Sequence, residues 1–266
     1  MEIEIEKKQD HRRTIFFIAV SLLIAFMIYY AVMLLLSPSG KVAAINSEYG
    51  YKAPENSNTD ERIFSDSSFI TINREKAFYQ ARVLMAESDS ICLALNLSDS
   101  TAILEITGVM VHKAKISEIS LSNVFSKADE YSVSAMLAMP FTISRDYATI
   151  RKEPVMLKMA PKDTSEYKPD ILPDTTNSEA VNCMLEMENG TRLYICQEVG
   201  GNEGGALNLF LFDLNDRLRN TGDNLKSILG FQVPEYHPAI IIRLAKADAR
   251  IIYRALPQYG QIAVFR

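Results

Sequence analysis

Few side chains in this sequence could carry out catalysis, and their spacing does not favour it. The chain has three cysteines and three histidines. A cysteine nucleophile needs a nearby base that generates its thiolate, and a structural zinc site needs closely spaced pairs of ligands. Cys92, Cys183 and Cys196 form no CxxC pair and have no histidine at a matching spacing. The sequence therefore predicts no metal site, no cofactor and no catalytic group.

Cys183 and Cys196 stand at the two ends of a predicted β-hairpin, CMLEMENGTRLYIC. Its turn, Asn189-Gly190, is the strongest short signal for a two-residue hairpin loop, because both residue types tolerate a positive φ. With that loop Cys183 faces Cys196, and their Cα atoms are about 4.5 Å apart, at the short end of the disulfide range. Two interpretations stay open, a disulfide or two free thiols, and a longer loop would destroy the register.

Two stretches bracket the C-terminal part of the chain. Residues 91–116 read as three strands joined by a polar turn and a glycine turn, and residues 242–265 read IRLAKADARIIYRALPQYGQIAVF. Both resemble the L,D-transpeptidase catalytic domain (the YkuD-like fold), at its opening and at its closing pattern. Arg243, Asp248 and Tyr253 fall in register with that closing pattern. The resemblance implies a binding role for these three residues and peptidoglycan as the ligand.

The chain departs from the family pattern at the positions of the family's catalytic residues. The family has a histidine, a glycine and, two places before the arginine, a cysteine nucleophile; this chain has Ala239, Ile240 and Ile241 there. An isoleucine supplies neither a nucleophile nor a proton. The resemblance therefore implies a pseudo-enzyme, and His237 reads as a turn or surface residue beside Pro238.

A membrane span precedes this domain. Residues 14–36 contain no charged side chain, and as a helix they reach roughly 35 Å, enough to cross a hydrocarbon core of about 30 Å. The stretch is longer than the apolar part of a cleaved signal peptide, so we interpret it as a retained signal anchor. Lysine and arginine are more frequent before the span than after it, which places residues 1–13 in the cytoplasm and the rest in the periplasm.

The exported part divides into three segments. Residues 37–68 are polar and turn-rich and predict a tether. Residues 69–89 contain a helix, capped by Asn73, whose apolar stripe packs on the domain. Residues 90–266 predict a mainly β domain with short helices (α+β). Its predicted strands are 91–97, 102–106, 109–113, the hairpin, 206–214, 239–244 and 262–265, with a possible edge strand at 154–159. Its helices are 223–229 and 246–255; residues 126–139 are ambiguous, and the glycine-rich 200–205 is a loop.

Charge and topology limit the partners. A net charge of -5 and a pI near 5.4 argue against nucleic acid, which needs a basic face. We expect a single-pass protein of the bacterial inner membrane whose periplasmic, non-catalytic domain binds peptidoglycan or acts as a scaffold. The alternative is a structural subunit of an envelope-spanning machine, such as a secretion complex, that contacts other subunits or associates with itself.

Overall fold

The computed structural model describes residues 2–52, 66–152, 180–198 and 203–266. These ranges contain both helices and strands, as the sequence predicted. The helices are α1 (Glu2–Tyr49), α2 (Ser67–Ala86), α3 (Val124–Lys127), α4 (Glu130–Leu137), α5 (Glu203–Leu229) and α6 (Lys246–Ala255). The strands are β1 (Ile91–Asn96), β2 (Thr101–Ile106), β3 (Val109–Leu121), β4 (Phe141–Ala148), β5 (Asn182–Met187), β6 (Arg192–Gln197), β7 (Ala239–Leu244) and β8 (Gln261–Phe265).

The eight strands form one closed barrel, in the order β1-β2-β3-β7-β6-β5-β4-β8. It closes where β8 pairs with β1 in parallel, and β6 and β7 are also parallel. Alternate side chains point inward along each strand, and an eight-stranded barrel leaves room only for side chains inside. The interior is accordingly filled by aliphatic residues, among them Leu93, Leu95, Ile143, Leu185, Ile195 and Ile242, each fully buried.

Helices cover the two ends of the barrel. Because β3 and β7 are antiparallel, their C-terminal ends lie at opposite ends of the barrel. β3 leads into α3 and α4, which place Phe125 and Met136 in the core at what we call the α4 end. β7 leads into α6, which places Ile252 in the same core at the α6 end.

Helix α1 is long and apolar enough to cross a membrane, as predicted. An 18-residue window within Phe16–Tyr49 has a mean hydropathy of 2.5, and none of it is buried. The predicted tether is wrong for residues 37–49, because α1 continues without a break to Tyr49. Residues 53–65 of that predicted tether lie outside the described residues.

The extension of α1 is helical because one of its faces is held by the barrel. Ser37, Lys41 and Ile45 are four residues apart and therefore lie on that face. The Ser37 hydroxyl donates to the Pro234 carbonyl at 2.7 Å, and Lys41 Nζ donates to the Asn189 carbonyl at 3.1 Å. Ile45 is 3% exposed and belongs to the barrel core. The apolar span and the barrel are thus joined by one helix.

Helix α2 covers the outer face of β1 and β8. It begins at Ser67, earlier than predicted, because the carboxylate of Asp66 caps its first turn. Phe78 and Met85 are buried in a small cluster with Ala94 of β1 and Ala263 of β8. The predicted apolar stripe therefore packs on the domain.

Helix α5 is the longest segment whose secondary structure differs from the sequence prediction. The strand predicted at 206–214 and the short helix at 223–229 belong to one helix of 27 residues, which also includes Gly204 and Gly205. Apolar residues at 211, 214, 218, 225 and 229 recur at helical spacing, which a strand cannot place on one face. The ambiguous residues 126–139 form α3 and α4. The predicted edge strand at 154–159 lies outside the described residues.

Candidate functional site

The predicted two-residue hairpin loop is wrong, because the loop has three residues, and of the two interpretations of Cys183 and Cys196 the structure has the free thiols. Met187 N–H donates to the Thr191 carbonyl at 2.9 Å, and Gly190 adopts a φ of 78°. This is the three-residue loop that ends in a left-handed glycine. Cys183 therefore pairs with Ile195, and a shift of one residue puts Cys183 and Cys196 on opposite faces of the sheet. Both cysteines are free and buried.

Burial also makes these thiols poor nucleophiles. Desolvation raises the pKa of Cys183 far above its ordinary value and raises the pKa of Cys196 to about 11. The same cause, weaker, raises the pKa of Cys92. The thiolate is the reactive form, so all three cysteines are protonated and unreactive near neutral pH.

Two of the three predicted binding residues contact β3, one through an ion pair and one through a hydrogen bond. Arg243 Nη1 lies 3.1 Å from Glu118 Oε2 on the outside of the barrel. Asp248, in the first turn of α6, lies 3.1 Å from Nε2 of His112, which is half-buried rather than exposed as the sequence suggested. These contacts attach β7 and α6 to β3.

The third predicted binding residue, Tyr253, is buried in α6. Its hydroxyl donates to Asp146 Oδ2 at 3.2 Å, and Lys152 Nζ lies over its ring, 4.9 Å from the centroid. Burial and the neighbouring carboxylate raise the pKa of the phenol above its ordinary value. The polar contacts of Arg243, Asp248 and Tyr253 thus go to three separate partners on β3 and β4, and the three side chains do not form one site.

A polar groove of about 550 Å³ opens at the α4 end of the barrel. It lies between β4 and β5, the C-terminal half of α5, and the segment 230–238 that leads into β7. We call it the hairpin groove, because the β5–β6 loop forms one wall. Its chemistry comes from six residues: Ser144, Arg145, Glu186, Glu188, Glu235 and His237.

The walls of the hairpin groove are fixed by contacts to the hairpin loop. His237 Nδ1 lies 2.9 Å from the Gly190 carbonyl, so His237 is a linking residue between β7 and the loop. Lys41 of α1 donates to the Asn189 carbonyl and lies 3.6 Å from Glu235 Oε1. Glu186 faces Arg145 and Arg192, and Glu235 faces Lys41, so the carboxylates of the groove are largely offset by cations. The groove therefore favours a ligand that offers amide or hydroxyl groups rather than a strong net charge. The contacts of Lys41 place the groove directly beside α1.

A buried polar layer separates α5 from the barrel. Arg192 and Glu186 are opposite each other on β6 and β5, 8% and 7% exposed, with Arg192 Nη2 3.3 Å from Glu186 Oε2. Arg192 Nη1 donates to Asn220 of α5 at 2.5 Å. Tyr194 donates to Asp216 of α5 at 2.7 Å, and burial raises the pKa of this tyrosine. The inner face of α5 thus combines these polar contacts with two buried apolar side chains, Phe212 and Ile228.

The outer face of α5 is apolar, the reverse of the usual surface helix. Its leucines are 38–62% exposed: Leu211 50%, Leu214 40%, Leu218 62%, Leu225 38% and Leu229 62%. We call this surface the leucine face. Sequence reasoning missed it because the first half of α5 was read as a strand. Exposed apolar patches of this kind mark surfaces that another molecule covers.

Within the described ranges, no three His, Cys, Asp or Glu side chains come together as a metal site. Comparison with family models, with curated proteins and with solved structures gives no match to this chain. The resemblance of residues 91–116 and 242–265 to L,D-transpeptidases stays a prediction from the residues alone.

Proposed function

We propose that this chain is a single-pass, non-catalytic subunit of the bacterial inner membrane that holds its barrel at the periplasmic surface as a scaffold for other envelope subunits. The observation that carries the proposal is the unbroken course of α1 from the apolar stretch to Ile45 in the barrel core. The absence of a nucleophile at Ile241 supports a scaffold rather than an enzyme.

The attachment of α1 favours a scaffold at the membrane over a domain on a flexible tether. Lys41 is five residues beyond Leu36, where the apolar stretch ends, so it stands about 8 Å above that point along the helix. Lys41 also binds the hairpin loop through Asn189. The hairpin groove is thereby held close to the membrane surface, where neighbouring membrane subunits lie.

Leu214 and Leu218, in the N-terminal part of the leucine face, support contact with a neighbouring membrane subunit. We expect Leu214→Asn with Leu218→Asn to abolish co-purification of partner subunits in mild detergent, since both side chains are exposed and their loss leaves the barrel core intact. The control is Val109→Asn, which changes an apolar residue beside the β2–β3 turn that is 65% exposed, at least as much as Leu214 and Leu218. The same partner set should be recovered with Val109→Asn as with the unmodified chain. Equal recovery with the double variant would contradict the scaffold proposal.

A second candidate function, peptidoglycan binding, is favoured by the polar hairpin groove. Cell-wall peptides and amino sugars present the amide and hydroxyl groups that its carboxylates would bind. Binding to purified murein sacculi should then be lost with Glu188→Lys plus Glu235→Lys, which are exposed groove positions, and kept with Glu118→Lys on the far side of β7. If the unmodified chain does not sediment with sacculi, this candidate function is eliminated.

The proposed topology has a direct test, because all three native thiols are buried and protonated. We expect Lys113→Cys, at an exposed position of β3, to react with a membrane-impermeant maleimide in intact spheroplasts. Gln9→Cys should react only after the membrane is permeabilised. The unmodified chain is the control and should take up no reagent in either state. Reaction of Gln9→Cys in intact spheroplasts would reverse the assignment.

A further inference from the structure

The C-terminal end of α5 contacts α1 inside the apolar stretch. The Tyr29 hydroxyl donates to the Ile228 carbonyl at 3.4 Å, and the rings of Tyr29 and Phe231 are 6.2 Å apart. Tyr29 precedes Leu36, the end of the apolar stretch, by seven residues, which is about 10 Å along the helix. The end of α5 therefore lies at the level of the apolar stretch, below the hairpin groove.

This end of α5 exposes apolar side chains and no charge. Phe231 is 83% exposed, Leu229 62% and Val233 47%. Residues 227–234, SILGFQVP, contain no ionisable side chain, and Lys226 and Glu235 flank them. We call residues 229–233 the α5 tip. On α1, Val32 and Leu36 follow Tyr29 by three and seven residues, so they share its face, and they are 48% and 49% exposed. Apolar side chains of α1 and of the α5 tip are therefore exposed on the same side.

Part of the backbone of the α5 tip is bonded internally, without water. Three consecutive N–H groups bond back to the end of α5: Gly230 to Lys226 at 3.1 Å, Phe231 to Ile228 at 3.0 Å and Gln232 to Ser227 at 2.9 Å. Lipid tolerates a turn only when its backbone groups are bonded internally.

The position of the aromatic ring is itself informative. Phe231 has a φ of 56° and occupies the left-handed position after the helix, where glycine is the usual residue. A bulky residue in this conformation is strained, and such strain persists where the side chain has a role. Here the strain presents a phenyl ring outward at the level of the apolar stretch.

We propose that the α5 tip inserts into the periplasmic leaflet of the membrane that α1 crosses, with lipid acyl chains around Phe231, Leu229 and Val233. This inference rests on the proposed membrane anchoring. Lipid is favoured over water because the tip is level with the apolar stretch. It is favoured over a protein partner because the tip packs on the apolar stretch of α1, where Phe231 contacts Tyr29, and Gln232 is the one polar side chain within the tip. The barrel then has two attachments to the membrane, α1 and the tip.

The chain contains no tryptophan, so a single substitution introduces a unique fluorescent probe. Phe231→Trp in the full chain is reconstituted into nanodiscs of phosphatidylcholine with and without bromine on the acyl chains. We expect a blue-shifted emission that brominated lipids quench strongly. Met110→Trp is the control: it is 57% exposed and lies on β3 roughly 35 Å along the strand from the α4 end. Its emission should be red-shifted and unaffected by bromine.

A third probe separates this proposal from the anchoring on which it rests. Leu23→Trp reports on the apolar stretch itself, where Leu23 is 64% exposed. Quenching at positions 23 and 231 supports the proposal. Quenching at 23 with a water-like, unquenched emission at 231 overturns it and leaves the anchor in place. A blue-shifted but unquenched emission at 231 also overturns it, since protein would then cover the tip. If the emission is quenched at neither position, the anchoring proposal itself is contradicted.

Discussion

Replacing Arg192 with methionine should lower the free energy of unfolding by about 1.5 to 3 kcal/mol, because it removes the buried cation that contacts Glu186, which then keeps only its contact with the exposed Arg145. Glu186 is 7% exposed, and Arg192 is the cation that reaches it from within the layer under α5. The same substitution also removes the bond from Arg192 to Asn220, which attaches α5. Chemical denaturation of the full chain in detergent micelles, followed by circular dichroism, measures the loss.

The matched control for that measurement is Arg145→Met. Arg145 Nη2 also contacts Glu186, at 2.8 Å, but its side chain is 75% exposed. An exposed ion pair contributes at most about 1 kcal/mol, so this variant should remain close to the unmodified chain. Equal losses for the two arginines would show that burial of the Glu186–Arg192 pair is not what stabilises this region. Combining Arg192→Met with Glu186→Leu should restore much of the loss, because no unpaired charge is then buried.

Replacing Ile45 with alanine should lower the free energy of unfolding by about 2 to 4 kcal/mol, the usual range for removing a large aliphatic side chain from a core. The expectation is specific, since Ile45 belongs to a segment that its sequence marks as a polar tether. A residue in a free tether would make no contribution. Ile45 is 3% exposed, so its side chain is as buried as those of the barrel strands.

The same substitution at an exposed isoleucine provides the comparison. Ile72 of α2 is 66% exposed, and Ile72→Ala should change the free energy of unfolding by less than about 0.5 kcal/mol. If Ile45→Ala behaved like Ile72→Ala, α1 would not be packed on the barrel. The proposed rigid connection between the span and the domain would then fall.

Alternation of apolar residues identified β1 and β2, an apolar run identified β7 as a buried strand, and the absence of charge in residues 14–36 identified the apolar helix. That α2 covers the outer face of β1 and β8 left no trace in the alternation. Closure into a barrel could not be predicted, because pairing partners such as β1 with β8 are distant in sequence and leave no local pattern.

Three errors have separate physical causes. The extension of α1 was missed because Pro38 and Gly40 are turn formers, and contacts with the barrel outweigh that preference. The hairpin register was missed because Asn-Gly also fits a three-residue loop with glycine in the left-handed position. Helix α5 was misread because its polar side faces the protein, which inverts the usual pattern. The last error concealed the leucine face, the main candidate for partner contact.

With α1 as the proposed membrane anchor, its continuity makes the barrel sensitive to the thickness of the bilayer. A membrane helix adjusts to a thinner or thicker bilayer by tilting, by angles of about 20° on average. Since α1 continues into the core, a tilt of the span rotates the whole barrel with it. Strand β3 has 13 residues, so the β2–β3 turn stands roughly 30 Å from the α4 end once strand tilt is included. A tilt of about 20° displaces a point at that height by about 10 Å. Lipid composition would in this way set which side of the barrel its neighbours meet.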